Sequence, residues 1–277
     1  MRVFGQSASL LAEAGIDVTA LAGLEDAVAL AGGLPDGPRA DIHVHLGRDR
    51  DRHTLSVEDL VDDMDRWGFG LAAAFALNDP GAAGDFVEAN AMVSASAARR
   101  TARLVPFCRV DPNTGWETAI DRAESAGARG LKLHPVAQRF APDSDAVIAC
   151  VARATAAGWP VLIHAGFGAR ALAAPLARLA DAVPGARLIL AHGARGDARA
   201  VREALAEHPG VWFDTSLAAL SDLVDLPPER LMFGSDRPYG DYATGLQLVG
   251  CAARLAGWSS AQIDAVMYGN FAALVGA

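Results

Sequence analysis

Short apolar runs, bounded by glycine, proline or charged turns, recur along the chain: ADIHVHL, GLAAAFAL, RLVPFCRV, RGLKLH, PVLIHA, RLILAH, GVWFD and RLMFGSD. Their length and composition predict eight strands. Between most of them apolar residues fall at helical spacing, as in Ser56 to Gly68, Gly115 to Gly127 and Gly196 to His208. Several of these segments close on glycine, as helices do. Near-continuous apolar strands alternating with helices imply a parallel sheet covered by helices. Eight such repeats predict an α/β fold, a (β/α)8 TIM barrel over residues 41–277. An open doubly wound sheet is disfavoured, because no GxGxxG turn follows any strand and polar residues gather at strand C-terminal ends. The interval from Asp214 to Leu231 is short for a full helix and is the weakest repeat.

In the first forty residues the apolar pattern is interrupted by Glu13, Asp17, Glu25 and Asp26. A signal peptide needs a basic start and an unbroken apolar stretch, so this segment reads instead as an N-terminal helical extension, residues 1–40, packed on the barrel.

Composition narrows the class further. A length of 277 residues fits one barrel, which typically runs about 250. With 52% hydrophobic and 21% charged residues there is material for a large core, yet no segment reaches the roughly 20 apolar residues of a membrane span. A soluble protein without a membrane partner is expected. Cys108, Cys150 and Cys251 are far apart and form no CxxC pair, which argues against disulfides and thiolate metal sites and for the cytoplasm. The net charge is −9, and in the most basic stretch, GRDRDRH, Asp49 and Asp51 offset the arginines. That disfavours nucleic acid as a partner.

The candidate chemistry begins at DIHVHLG. Strand side chains alternate, so His43 and His45 point one way while Ile42, Val44 and Leu46 point the other. Alone, the pair fits two core or edge-strand histidines equally well. Strand four, however, carries Lys132 and His134, strand five ends in His164, strand six in His192, and strand eight in Asp236. Each has a structural reading by itself, such as a buried histidine bonded to a carbonyl or an aspartate capping a helix. Together they stand where a barrel makes side chains converge on one cavity, and imidazole with carboxylate is a donor set for Zn²⁺. His53 and His208 fall outside this pattern.

The order of HxH after strand one, His on strands five and six, and Asp on strand eight resembles the amidohydrolase superfamily. The segments GLKLHP, HAG, AHG and GSDRP are similar to its amidohydrolase-related branch, which includes the carboxymuconate semialdehyde decarboxylases. The resemblance covers Asp41 to about Asn270 and leaves the first forty residues outside. It implies His43, His45, His164 and Asp236 as metal ligands, His192 as a catalytic proton-handling residue, and a second, catalytic role for Asp236. One zinc per chain is expected, with Mn²⁺ or Fe²⁺ as substitutes, lowering the pKa of a bound water to about 7. Lys132 matches by position the carboxylated lysine that bridges two metals in binuclear members. It equally reads as a plain cation for a substrate carboxylate, and His134, on the same strand face, is a candidate for the same second-metal or substrate role.

Arg109, Arg195 and Arg237, at or just past strand ends, are candidates to grip an anionic small-molecule substrate, with loop salt bridges as the alternative. Tyr239 and Phe167 read as rim packing and Asn270 as structural. The leading function is metal-dependent hydrolysis of a small amide, lactone or related acid. The alternative is non-oxidative decarboxylation of an unsaturated or aromatic acid, and a third reading is a non-catalytic metal-binding barrel. A homodimer is compatible with the sequence.

Overall fold

The structure is a computed structural model and describes residues 2–4, 6–78, 86–100 and 103–277. Strands β1 (Arg39–Arg48), β2 (Phe69–Ala76) and β3 (Leu104–Pro106, resumed at Cys108–Arg109) are followed by β4 (Leu131–Leu133) and β5 (Val161–Ile163). The series continues with β6 (Leu188–Leu190), β7 (Val211–Asp214) and β8 (Leu231–Met232). Each pairs in parallel with its neighbour in sequence. At the break in β3, Phe107 N donates to Ala74 O (2.8 Å) and Cys108 N to Gly130 O (2.7 Å), so the ladder passes from β2 to β4.

The last strand also meets the first. Ile42 N donates to Phe233 O at 3.0 Å, Asp236 N to His43 O at 2.9 Å and His45 N to Arg237 O at 2.8 Å. The buried Asp41 carboxylate locks this seam, accepting the Ser235 N–H at 3.0 Å and the Ser235 hydroxyl at 2.5 Å. The strand order expected of a (β/α)8 barrel is therefore present, with its seam between β8 and β1.

Two apolar clusters flank the strands. One fills the barrel interior with Ile42, Phe75, Phe107, Leu162, Ile189 and Met232. The other, which includes Val44, Leu46, Leu133, Ile163 and Leu190, lies between the strands and the helices. Ile42 and Val44 fall in different clusters because β1 shifts register between Asp41 and Val44. Such a bulge resets the alternation: His43 and His45 face opposite to Val44 and Leu46, as the period predicts, but Ile42 does not join them.

Helix Val57–Trp67 fills the first interval, with Ser56 capping Asp59 N at 3.0 Å and Gly68 closing it at φ 73°. Helices Trp116–Ser125 and Ala198–Ala204 occupy two later intervals. The short seventh interval holds only Leu220–Asp225 and the turn Pro228–Arg230. The Asn270 side chain donates to Pro228 O (2.8 Å) and Leu231 O (2.7 Å), a structural role.

Ahead of β1 lie a small hairpin, Arg2–Val3 with Gln6–Ser7, and helices Ala8–Glu13 and Val18–Ala31; Met1 and Gly5 lie outside the described residues. Helix Val18–Ala31 packs on Tyr242–Ala256. Its end approaches so closely that a Cβ on Gly250 would stand 1.9 Å from Gly32 O. Arg66 bonds Glu25 and Asp26, each at 2.7 Å. Among the described residues no helix is long and apolar enough to cross a membrane.

Candidate active site

The strand C-terminal ends surround a cavity of about 390 Å³. His43, His45, Arg109, Lys132, His134, His164, His192 and Asp236 line it, with Asp49, Arg50, Val136, Phe167 and Tyr239 among the others. β1 delivers His43 and His45 already desolvated, at 1% and 4% exposure. Asp236 reaches them with its backbone turned left-handed (φ 57°), a conformation uncommon for non-glycine residues but one that aspartate adopts more readily than most. Its Oδ1 lies 3.1 Å from both His43 Nε2 and His45 Nε2.

Asp214, at the end of β7, was not singled out from the sequence, although a carboxylate closing GVWFD obeys the same strand-end rule as the other candidates. It is fully buried. Its Oδ2 accepts from His43 Nδ1 at 2.7 Å, while Oδ1 accepts the backbone N–H groups of His192 and Ser216, both at 2.9 Å. A carboxylate there holds the His43 proton on Nδ1 and leaves the Nε2 lone pair facing inward, the usual support of a metal-ligating imidazole.

The same reasoning fixes two further rings. His192 Nδ1 lies 2.9 Å from Ser216 O and His164 Nε2 lies 3.0 Å from Phe167 O. Carbonyls only accept, so those nitrogens carry the protons. The remaining lone pairs, on His192 Nε2 and His164 Nδ1, then confront each other at 3.1 Å. Two lone pairs facing each other call for a proton or cation between them, although His164 joins neither of the described donor groups that could hold a metal ion. Donor atoms of His43, His45 and Asp236, and of His43, His192 and Asp214, gather within 4.8 Å in two overlapping groups.

The electrostatics agree. Burial and Lys132 push His43 toward its neutral form, but Asp236 and Asp214 outweigh them and hold its pKa above the ordinary imidazole value. Positive charge is thus favoured between the two carboxylates. Burial takes His45 and His164 down to about 3, so both are neutral, as ligation requires. Burial opposes ionisation of Asp236, yet His43 and the bonds from His43 and His45 hold its pKa well below the usual range. Lys132, completely buried, comes down to about 7 through burial. Its Nζ lies 3.1 Å from His43 Nε2 and 4.8 Å from the Phe75 ring centre.

The three arginines separate. Arg109 is 1% exposed, donates from Nη1 to Ala76 O at 3.1 Å, and lies over the Phe86 ring at 4.9 Å. Among the described residues its Nε and Nη2 are buried without partners. Burial lowers its pKa to about 10, which still leaves it charged at neutrality.

The other two depart from the expectation of substrate contact, since neither lines the cavity. Arg237 is turned toward helix Val57–Trp67, paired with the Asp63 carboxylate and set 5.0 Å from the Tyr242 ring centre. Arg195 is exposed, donates to Leu217 O at 2.8 Å and covers the Phe167 ring at 4.9 Å.

The aromatics read as rim packing, Phe167 and Tyr239, do line the cavity. Tyr239 donates its hydroxyl to Asp49 at 2.5 Å. His134 stands outside the donor groups that could hold a metal ion, its ring stacked on His164 with centres 3.9 Å apart.

Comparison with curated proteins returns no match. Among solved structures, an uncharacterised TIM-barrel protein from Bordetella bronchiseptica superposes with a TM-score of 0.67 at 14% identity, covering 87% of this chain and 99% of its own. A 2,6-dihydroxybenzoate decarboxylase from Rhizobium gives 0.66 at 15%, covering 87% and 99%. A protein described as a probable 2-pyrone-4,6-dicarboxylic acid hydrolase from Acinetobacter baumannii gives 0.63 at 15%, covering 86% and 99%. Identities this low show the fold alone, and that fold is the TIM barrel. A family model described as Amidohydrolase matches residues 40–277.

Proposed function

The chain belongs to the amidohydrolase family by its match over residues 40–277, and on that premise we propose that it is a zinc-dependent hydrolase of a small amide, lactone or related acid bearing a carboxylate. The observation that carries this reading is Arg109, a buried guanidinium at the cavity with two nitrogens unpartnered among the described residues. Leaving such donors unmet is costly, and a carboxylate satisfies both at once. The cavity volume of about 390 Å³ suits a small molecule.

His43, His45, His164 and Asp236 would hold one zinc per chain, with Mn²⁺ or Fe²⁺ as substitutes. When bound, the ion supplies carbonyl polarisation and a water acidic enough to ionise near neutrality. The rest falls to the chain itself. Arg109 grips the substrate carboxylate and so fixes the scissile group. Asp236 accepts the attacking water's proton on a carboxylate oxygen. His192, with Nδ1 committed to Ser216 O, has its lone pair on Nε2, so it acts by taking the proton that left the water onto Nε2 and handing it on to the leaving nitrogen or oxygen. Asp214 braces His192 by accepting its backbone N–H. The free cysteines fit a reducing compartment, and the reading assigns the cytoplasm.

Decarboxylation of an unsaturated or aromatic acid would use the same groups, with His192 protonating carbon. Incubating zinc-loaded protein with lactones, amides and aromatic acids, while measuring ring opening or amide cleavage alongside CO₂, separates the two. Hydrolysis without CO₂ is expected. CO₂ release with no hydrolysis would replace the hydrolase reading.

A further inference from the structure

His134 has no part in the chemistry above, although its ring lines the cavity. It follows the last residue of β4 and caps the single turn Pro135–Gln138, its Nδ1 accepting the Ala137 backbone N–H at 3.2 Å. A backbone amide only donates, so Nδ1 carries the lone pair and the ring proton resides on Nε2. One face of the ring is covered by His164, nearly parallel at 12° and 3.9 Å. With Nδ1 engaged and this face stacked, Nε2 is the polar atom left to the cavity. It is not among the sealed, unpartnered atoms of the described residues.

We propose that His134 is a specificity-determining residue, a fixed Nε2–H that donates to an acceptor oxygen of the substrate other than the carboxylate held by Arg109. Shifting the proton to Nδ1 would set two hydrogens against each other at Ala137, so the ring donates and does not serve as a base. His192 is its opposite, offering a lone pair at Nε2. A cavity with one donating and one accepting imidazole selects acids that carry a keto, ester or second carboxylate oxygen over acids with an apolar group at that place. This rests on the reading of Arg109 as the carboxylate grip.

The test has two parts, both on the zinc-loaded full-length protein. In histidine-¹⁵N-labelled protein, long-range ¹H–¹⁵N correlation should show His134 as the Nε2–H tautomer; the Nδ1–H tautomer overturns the proposal. Calorimetric titration then compares levulinate with valerate, acids of the same length that differ by one keto oxygen. The wild type should bind levulinate at least about tenfold more tightly, the worth of a hydrogen bond to a well-placed donor.

His134→Asn, whose amide oxygen can keep capping Ala137, should lose that preference while retaining zinc and thermal midpoint. His134→Gln, whose amide reaches as far as Nε2, should recover much of it. A wild type without the preference, an Asn variant that keeps it, or Asn and Gln variants that behave alike would overturn the proposal. Arg109→Met should weaken both acids equally. If it weakens neither, the carboxylate reading fails, while the levulinate preference still reports on His134.

Discussion

At Asp236 the backbone turns left-handed, and that turn decides the fate of two side chains. Asp236 meets His43 and His45, and Arg237, a candidate for a substrate contact or a salt bridge, pairs with Asp63 beneath the helices. The salt bridge is the alternative that the sequence left open for Arg237, and the partner, Asp63, lies 174 residues away in the chain. Asp214 failed to stand out for a similar reason. Its position was legible, but its partners, His43 and the His192 amide, are remote in sequence.

The division of labour among the histidines is testable here. His192→Asn should keep zinc and lower kcat by about 10² to 10⁴, the usual worth of a positioned proton-transfer group. His164→Asn and Asp236→Asn should lose zinc and activity together. Metal content and turnover measured on the same preparations decide it, and a His192→Asn protein without zinc would make this residue a ligand. Arg109→Met should raise KM by about tenfold to a hundredfold with kcat little changed, given the roughly 1.5–3 kcal/mol of a charge-assisted hydrogen bond. Unchanged KM would return Arg109 to a structural role.

Among elements, the eight strands were legible because an apolar run between breakers survives any detail of packing. The phase within β1 was not. Its register shift between Asp41 and Val44 sends Ile42 into the barrel interior, and one extra residue in a strand leaves no mark on a pattern of period two. Ahead of β1 the structure has a short hairpin, which the apolar pattern did not mark, as well as two helices, and the docking of the second helix depends on glycines that no periodicity reports. Gly250→Ala would drive a methyl group into Gly32 O. Overpacking against backbone costs about 1–3 kcal/mol. The variant should melt several degrees lower and release its first forty residues to limited proteolysis. Wild-type melting and protease resistance would show that the two helices can slide apart without penalty.

At the scale of the whole molecule, the burial of Lys132, Asp214, Asp236 and a set of imidazoles in one barrel mouth makes the fold sensitive to what sits among them. An ion present at a hundred times its dissociation constant stabilises the folded state by about 2.7 kcal/mol. Dialysis against a chelator should therefore lower the melting temperature by several degrees, and added zinc should restore it. Elemental analysis should give one zinc per chain. Two equivalents, lost together in Lys132→Ala, would instead establish a bridged pair.

The seam between β8 and β1 also governs when the site comes into existence. His45 and Asp236 are 191 residues apart in the chain, so on the ribosome the histidine pair emerges long before its carboxylate partner. Until Ser235 arrives to bond Asp41, β1 is an open edge on one side of a growing sheet. Nascent chains arrested before that point should hold no zinc and remain exposed to chaperones. Loading of a metal ion at this site would thus await the arrival of Asp236 and would report that β8 has met β1.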